Sequence, residues 1–242
     1  MNDYQELDYL NGMSHDAELQ AQAAFPALMR KVYVWMALAL VITGLTAYYV
    51  ATSPMLLNVI YSNQVVFWGL LIAEFAMVVG LSAAINRLSL TAATLMFVLY
   101  SVINGATLSS IFLIYTTASI TEVFFITAGT FAVMAVYGYV TKTDLTSMGK
   151  ILFMALIGLI IAAVVNLFLH NTMMDLVISC IGVLVFVGLT AYDSQKIKTM
   201  LLTAGNLGET AQKLALLGAL TLYLDFINLF IYLLRLLGSR RD

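Results

Sequence analysis

The chain has 242 residues, of which 62% are hydrophobic and only 10% charged, and it carries a formal net charge of -2; its mean hydropathy is +0.96. A soluble domain carries about 25% charged residues, so this composition excludes one and defines a polytopic membrane protein. The balance of charge also excludes a nucleic-acid partner, because there is no basic patch to displace counterions from phosphates.

The first stretch, MNDYQELDYLNGMSHDAELQAQAAF, is acidic and polar. It has neither the basic start nor the short apolar run of a cleavable signal, and it is too acidic for a transit peptide. Residues 1–30 are therefore expected to form a cytoplasmic tail, and residues 31–242 a single transmembrane domain. A helix needs roughly 20 apolar residues to cross the hydrocarbon core. Runs of that kind predict seven spans, near 32–52, 65–86, 90–114, 119–141, 151–170, 174–195 and 214–236. The runs are continuous and do not alternate in polarity, which favours helices over barrel strands. The fold class is all-α. Cys180 is the only cysteine, so a disulfide within the chain is excluded and helix packing must hold the fold. The thirteen methionines are scattered through the spans, as packing filler is, and not clustered as a copper site requires.

Lysine and arginine set the orientation. Arg30 and Lys31 precede the first span, Arg87 follows the second, Lys142 and Lys150 flank the link between the fourth and fifth, and Lys196, Lys198 and Lys213 lie between the sixth and seventh. The loops after the first, third and fifth spans have neither residue type, which places the N-terminus in the cytoplasm. Arg235, Arg240 and Arg241 run against this trend, because a seventh span that crosses fully leaves them outside. Its apolar run is long enough for a full crossing, which is the expectation here.

Within the spans the polar residues are few. Glu74 lies in the second span, in LIAEFAMVVG, where Gly80 and Ala84 also make a small-residue face suited to close helix contact. Ser101 and Asn104 share a face of the third span. Glu122 and Asp175 begin the fourth and sixth spans and read as helix-start acids facing water. Asp193 ends the sixth span in VGLTAYDSQKIK. On the seventh, steps of three and four residues align Gly218, Thr221, Asp225, Asn228, Tyr232 and Arg235 in one polar stripe, with Leu, Phe and Ile on the other faces. Such a helix belongs at the centre of a bundle. An intramembrane acid is rarely kept without a partner, and the best partner for Asp225 is Asp193. Two carboxyls that meet share a proton and titrate as one unit. By sequence depth they meet only if the sixth helix continues past Lys198, or if the first turns of the seventh stand above the lipid.

The segments FVGLTAYDSQKIK and GALTLYLDFINLFIYLLRLLG, together with the seven-span layout, resemble the Bax-inhibitor family, also called the transmembrane Bax inhibitor motif family. The resemblance covers nearly all of the chain beyond the tail. It implies a central last helix wrapped by six others and a pH-sensitive calcium leak. It implies further that Asp193 and Asp225 are the di-aspartyl pH sensor on the cytoplasmic side of the pore. Glu74 matches an acid in the second span, and Arg87 would be the latch arginine that follows it. The compact loops suggest a bacterial member in the cytoplasmic (inner) membrane.

The expected function is thus a pH-sensitive leak for calcium or another cation, gated by the Asp193–Asp225 pair, with Glu74, Asn228 and Tyr232 as accessory polar groups. Its partners are the bilayer, protons and calcium as permeant ion, weakly and transiently held at Asp193 and Asp225, with no cofactor. Calcium takes six to eight oxygens, and two aspartates with a few neutral oxygens hold it only weakly, as conduction requires. A non-conducting regulator that binds other membrane proteins is the alternative. An intramembrane aspartyl protease ranks lower, since LYLDF lacks the glycines that admit a substrate backbone, and no enzyme activity is expected. A zinc hydrolase needs clustered histidines, whereas only His15 and His170 exist. A retinal pigment needs a lysine inside the seventh span.

Overall fold

The structure is a computed structural model that describes residues 3–204 and 207–241; of residues 3–21 only Leu19 is described beyond its backbone. Among the described residues the chain forms α1 (Asp3–Thr52), α2 (Pro54–Tyr61), α3 (Gln64–Ala84), α4 (Leu90–Leu108), α5 (Ile111–Ile114), α6 (Thr117–Val140), α7 (Thr146–Leu169), α8 (Thr172–Thr203) and α9 (Glu209–Leu237). Seven helical stretches are long and apolar enough to cross a membrane, the first from Gln22 to Thr52 and the third from Leu90 to Ile114. They correspond one for one to the seven expected runs. The helical backbone of α1 continues without a break across the expected boundary at Arg30. The acidic side chains of the expected tail, from Asp3 to Glu18, lie outside the described residues.

Helix ends follow local chemistry. Asn63, Ser89, Thr116 and Asn171 are N-caps whose side chains accept first-turn N–H groups of α3, α4, α6 and α8, satisfying donors that have no partner inside the helix. Ser89 is joined by Glu209, whose Oε1 accepts from Leu90 N at 3.1 Å and so ties the start of α9 to the start of α4. At the other end of the bundle His170 closes α7 in the left-handed region, φ 50°, with its N–H on Asn166 O at 2.8 Å. The chain then reverses into α8 within two residues.

The core sits around α9. Two thirds of its membrane window (67%) is buried, against 33% or less for every other span. Leu216, Ala219, Leu222, Tyr223, Phe226, Leu229 and Leu234 fill one side of this helix and are all buried, and no residue from 211 to 234 on any face is exposed, as expected of a helix enclosed by others. The last helix is therefore central. Its 29 residues are unbroken and reach about 43 Å at 1.5 Å per residue, enough for a full crossing.

Close backbone contact sets the register of its neighbours. The Gly138 Cα of α6 lies so near Ala191 of α8 that no side chain fits between them. Between α8 and α9, Gly182 lies under the Tyr232 ring and Gly218 against Ile197. These two antiparallel contacts bring Asp193 to within about a turn of Asp225.

Candidate functional site: a buried carboxyl pair between the last two helices

Asp193 and Asp225 are 8% and 4% exposed, and their side chains are in hydrogen-bond contact with each other. Two carboxyl oxygens are both acceptors when ionised, so this contact requires a proton, or a cation in its place, between them. Asp225 Oδ2 has no ordinary donor within reach, which leaves the Asp193 carboxyl as the group that meets its polarity. Lys196, one turn along α8, is the cation whose field reaches Asp193.

The depth condition is met because α8 stays helical through Lys198 to Thr203 and α9 begins as far back as Glu209. The polar residues after Asp193 hold that extension in place. Gln195 accepts from Leu145 N at 2.9 Å and donates to Thr143 O at 2.8 Å, clamping the link between α6 and α7. Lys198 donates to Tyr139 O at 2.8 Å. The QKIK of the motif is thus a tether for the helix that carries Asp193.

A second polar network crosses the bundle on another face of α9. Tyr223 is fully buried. Its hydroxyl donates to Asn104 Oδ1 at 2.9 Å and stands 2.6 Å from Thr43 Oγ1. Asn104 Nδ2 faces Glu74 at 3.5 Å, and the Thr107 hydroxyl donates to Glu74 at 2.6 Å. The Thr43 hydroxyl also faces Ser101 O at 3.0 Å, so the two hydroxyl protons are shared among Ser101 O, Asn104 Oδ1 and the contact between the hydroxyls themselves. The bonds then run from α1 through α9 and α4 and end on the carboxylate of α3. Phe97 and Tyr100 pack edge-on against the Tyr223 ring at 5.9 and 5.8 Å.

The remaining expected residues are placed as follows. Asn228 is half-buried and donates to Leu224 O at 2.8 Å, within its own helix. Tyr232 stacks on Phe186 at 5.8 Å. Arg235 lies over the Tyr232 ring and pairs with Asp175 at 3.3 Å, so this helix-start acid has an arginine partner as well as water. Arg87 is exposed in the turn after α3, and among the described residues its side chain forms no hydrogen bond or ion pair. It joins neither Glu74 nor the carboxyl pair. Gly80 faces Met96 of α4, so that small-residue face is used inside the molecule.

Sequence reasoning missed Tyr223, Thr43, Thr107, Gln195 and Lys198. For Tyr223 a signal exists: a hydroxyl in the middle of an apolar span needs a partner. The partners of Gln195 and Lys198 are backbone carbonyls and an N–H, which no side-chain pattern marks.

Fold and site together define a polytopic membrane protein whose enclosed last helix carries an acid paired with a second acid from the preceding helix. A family model described as Inhibitor of apoptosis-promoting Bax1 matches residues 26–242. The chain is 47% identical over 234 residues to the Inner membrane protein YbhL of Escherichia coli, covering 93% of this chain and 97% of the relative. It is 46% identical to an uncharacterized protein of Borreliella burgdorferi, over 88% of this chain and 92% of that one. Identity to an uncharacterized protein of Caulobacter vibrioides is 35% over the full length of both. The chain belongs to the Bax inhibitor family and is an integral membrane protein.

Proposed function

We propose that this protein is a pH-sensitive cation leak of a bacterial inner membrane, with calcium the permeant ion, the N-terminus cytoplasmic and the Asp193–Asp225 pair as its gate. The observation that carries this reading is the contact of two buried carboxyls, Asp193 of α8 and Asp225 of the central helix α9. With one proton shared between them the carboxyls hold α8 to α9 and carry a single negative charge, too little to hold a divalent ion. With both ionised they repel each other and draw a divalent ion. From Asp225 the stripe Asn228, Tyr232, Arg235 leads along α9 to a cavity of about 710 Å³ at the far end of the bundle, which supports a path on that side.

Two carboxyls with few other oxygens make a transient calcium site and not a storage site. Glu74, with its bond to Thr107, is read as an accessory polar group beside the path. Arg87 takes the latch role only if the end of α3 moves toward α8. The membrane window of α3 is 6% buried, so few packing contacts resist that motion. The reading is non-enzymatic.

The test is radiotracer calcium entry into proteoliposomes across a pH series, for the native protein and for Asp193→Asn with Asp225→Asn. The expected result is altered entry that no longer follows pH in the variant. An unchanged rate and pH profile would overturn the reading and favour a non-conducting regulator that acts through other membrane proteins.

A further inference from the structure

The end of the bundle opposite the lysine-bearing loops carries Arg240, which the proposed leak does not use. The last residues are strapped down by backbone hydrogen bonds to the link between α5 and α6. Thr116 N donates to Ser239 O at 3.1 Å and Arg241 N to Ile114 O at 2.9 Å, and Ser239 N donates to Ser119 Oγ at 2.9 Å. This strap sets Arg240 on the rim of the 710 Å³ cavity, with Arg235 also in its wall. Arg235 already has Asp175 as a partner. Arg240 is exposed, and among the described residues its side chain forms no ion pair or hydrogen bond.

The cavity has two kinds of wall. Its polar end is made by Arg235 and Arg240 with His170, Asn171, Thr172 and the Asp175 carboxylate, whose charge Arg235 offsets. Its other wall is Ile160, Val164 and Leu167, one face of α7 by their spacing. Those three side chains are 55%, 49% and 66% exposed and stretch about 10 Å along the helix away from the polar end. A guanidinium held over a polar rim, above an open apolar wall of that length, matches a phosphate ester joined to an acyl chain. Arginine binds phosphate oxygens in a planar fork. A free phosphate would leave the apolar wall unused, and an acyl chain alone would leave Arg240 without an anion. Arginines on the non-cytoplasmic side also run against the usual charge bias of membrane proteins, and a phosphate headgroup supplies the missing countercharge.

We infer that this cavity is a binding site for a phospholipid of the outer leaflet, its phosphate held by Arg240 with Arg235 and its acyl chain laid along Ile160, Val164 and Leu167. The site shares Arg235 and the cavity with the proposed path but neither member of the carboxyl pair, so it stands whether or not the leak does.

Native mass spectrometry of the detergent-solubilised protein tests it, by titration with phosphatidylglycerol, with diacylglycerol of the same chains, and with glycerol 3-phosphate. Phosphatidylglycerol is expected to bind more tightly than either fragment. Arg240→Gln is expected to weaken it roughly tenfold, the loss of one charge-assisted contact, while Lys142→Gln at the opposite end leaves it unchanged. Circular dichroism checks that both variants keep their helices. Equal binding by Arg240→Gln, or an equal loss in Lys142→Gln, overturns the site. Diacylglycerol binding as tightly as the phospholipid removes the phosphate recognition. Glycerol 3-phosphate binding as tightly makes the ligand a soluble phosphate and overturns the lipid assignment.

Discussion

Tyr223 and Asn104 meet at 2.9 Å in the interior of the bundle, hydroxyl to amide oxygen, and join the central helix to α4. Removing that hydroxyl strands the buried Asn104 oxygen, while the Thr43 hydroxyl keeps Ser101 O at 3.0 Å. Tyr223→Phe is therefore expected to lower stability by about 1–2 kcal/mol. Reversible unfolding in mixed detergent micelles measures it. Stability equal to the native protein would mean that the network contributes nothing net.

The carboxyl pair makes an opposite prediction for single and double changes. Asp193→Leu leaves Asp225 buried without its partner and is expected to cost about 1–3 kcal/mol. Asp193→Asn with Asp225→Asn keeps a donor and an acceptor on facing side chains, so its loss is smaller, and its stability should respond less to pH than that of the native protein. Unfolding curves for both variants at several pH values check this. A double variant that is less stable than the single one would contradict the pairing.

Gly138 and Ala191 touch backbone to backbone. A methyl group there has no room, and Gly138→Ala is expected to cost about 1–3 kcal/mol by forcing α6 from α8. Gly129 lies on the same helix with open space where its Cβ would be, so Gly129→Ala should be neutral or slightly stabilising. Equal melting temperatures for the two variants would refute the close contact.

In the Asp175–Arg235 pair the Arg235 side chain is 41% exposed and that of Asp175 42%. Exposed pairs contribute little, with a median of about 0–1 kcal/mol. Asp175→Asn is accordingly expected to change stability by less than about 0.5 kcal/mol, with no dependence on added salt beyond that of the native protein. A large loss would assign this pair a structural weight its exposure denies.

Asp144, in the link before α7, accepts from Thr146 N at 2.9 Å. Hydrogen bonds from the Thr146 side chain and backbone hold its carboxyl below the usual aspartate range. A depressed carboxyl stabilises the fold above its unfolded-state pKa and loses that contribution as the pH falls through the folded-state value. The group is fully exposed, so the effect is small. The melting temperature of Asp144→Ala should lie slightly below the native value at neutral pH, and the gap should close on acidification. A gap that widens in acid would reverse the sign of the argument.

Much of this protein is legible from its residues in order. Apolar runs of span length are enough to place seven helices, because the bilayer leaves the backbone no other way to satisfy its hydrogen bonds. The polar stripe through Asp225 marks α9 as the enclosed helix, because a membrane-embedded polar face must turn away from lipid. Asp193 and Asp225 could be named as partners for the same reason.

What order alone could not decide is everything that depends on register between helices. Whether Asp193 reaches Asp225 turns on α8 running past Lys198 and on Gly182 and Gly218 setting how it slides against α9. Tyr223, Asn104 and Glu74 stand on three different helices, so their contact is a matter of rotation and tilt that no single-helix pattern carries. Arg87, which follows α3 closely in sequence, ends apart from both Glu74 and the carboxyl pair. The strap that fixes Arg240 is made of backbone groups, which every residue has. Local chemistry dictates which segments enter the membrane; only packing, through distances of a few ångströms between segments far apart in the chain, decides which polar groups find one another.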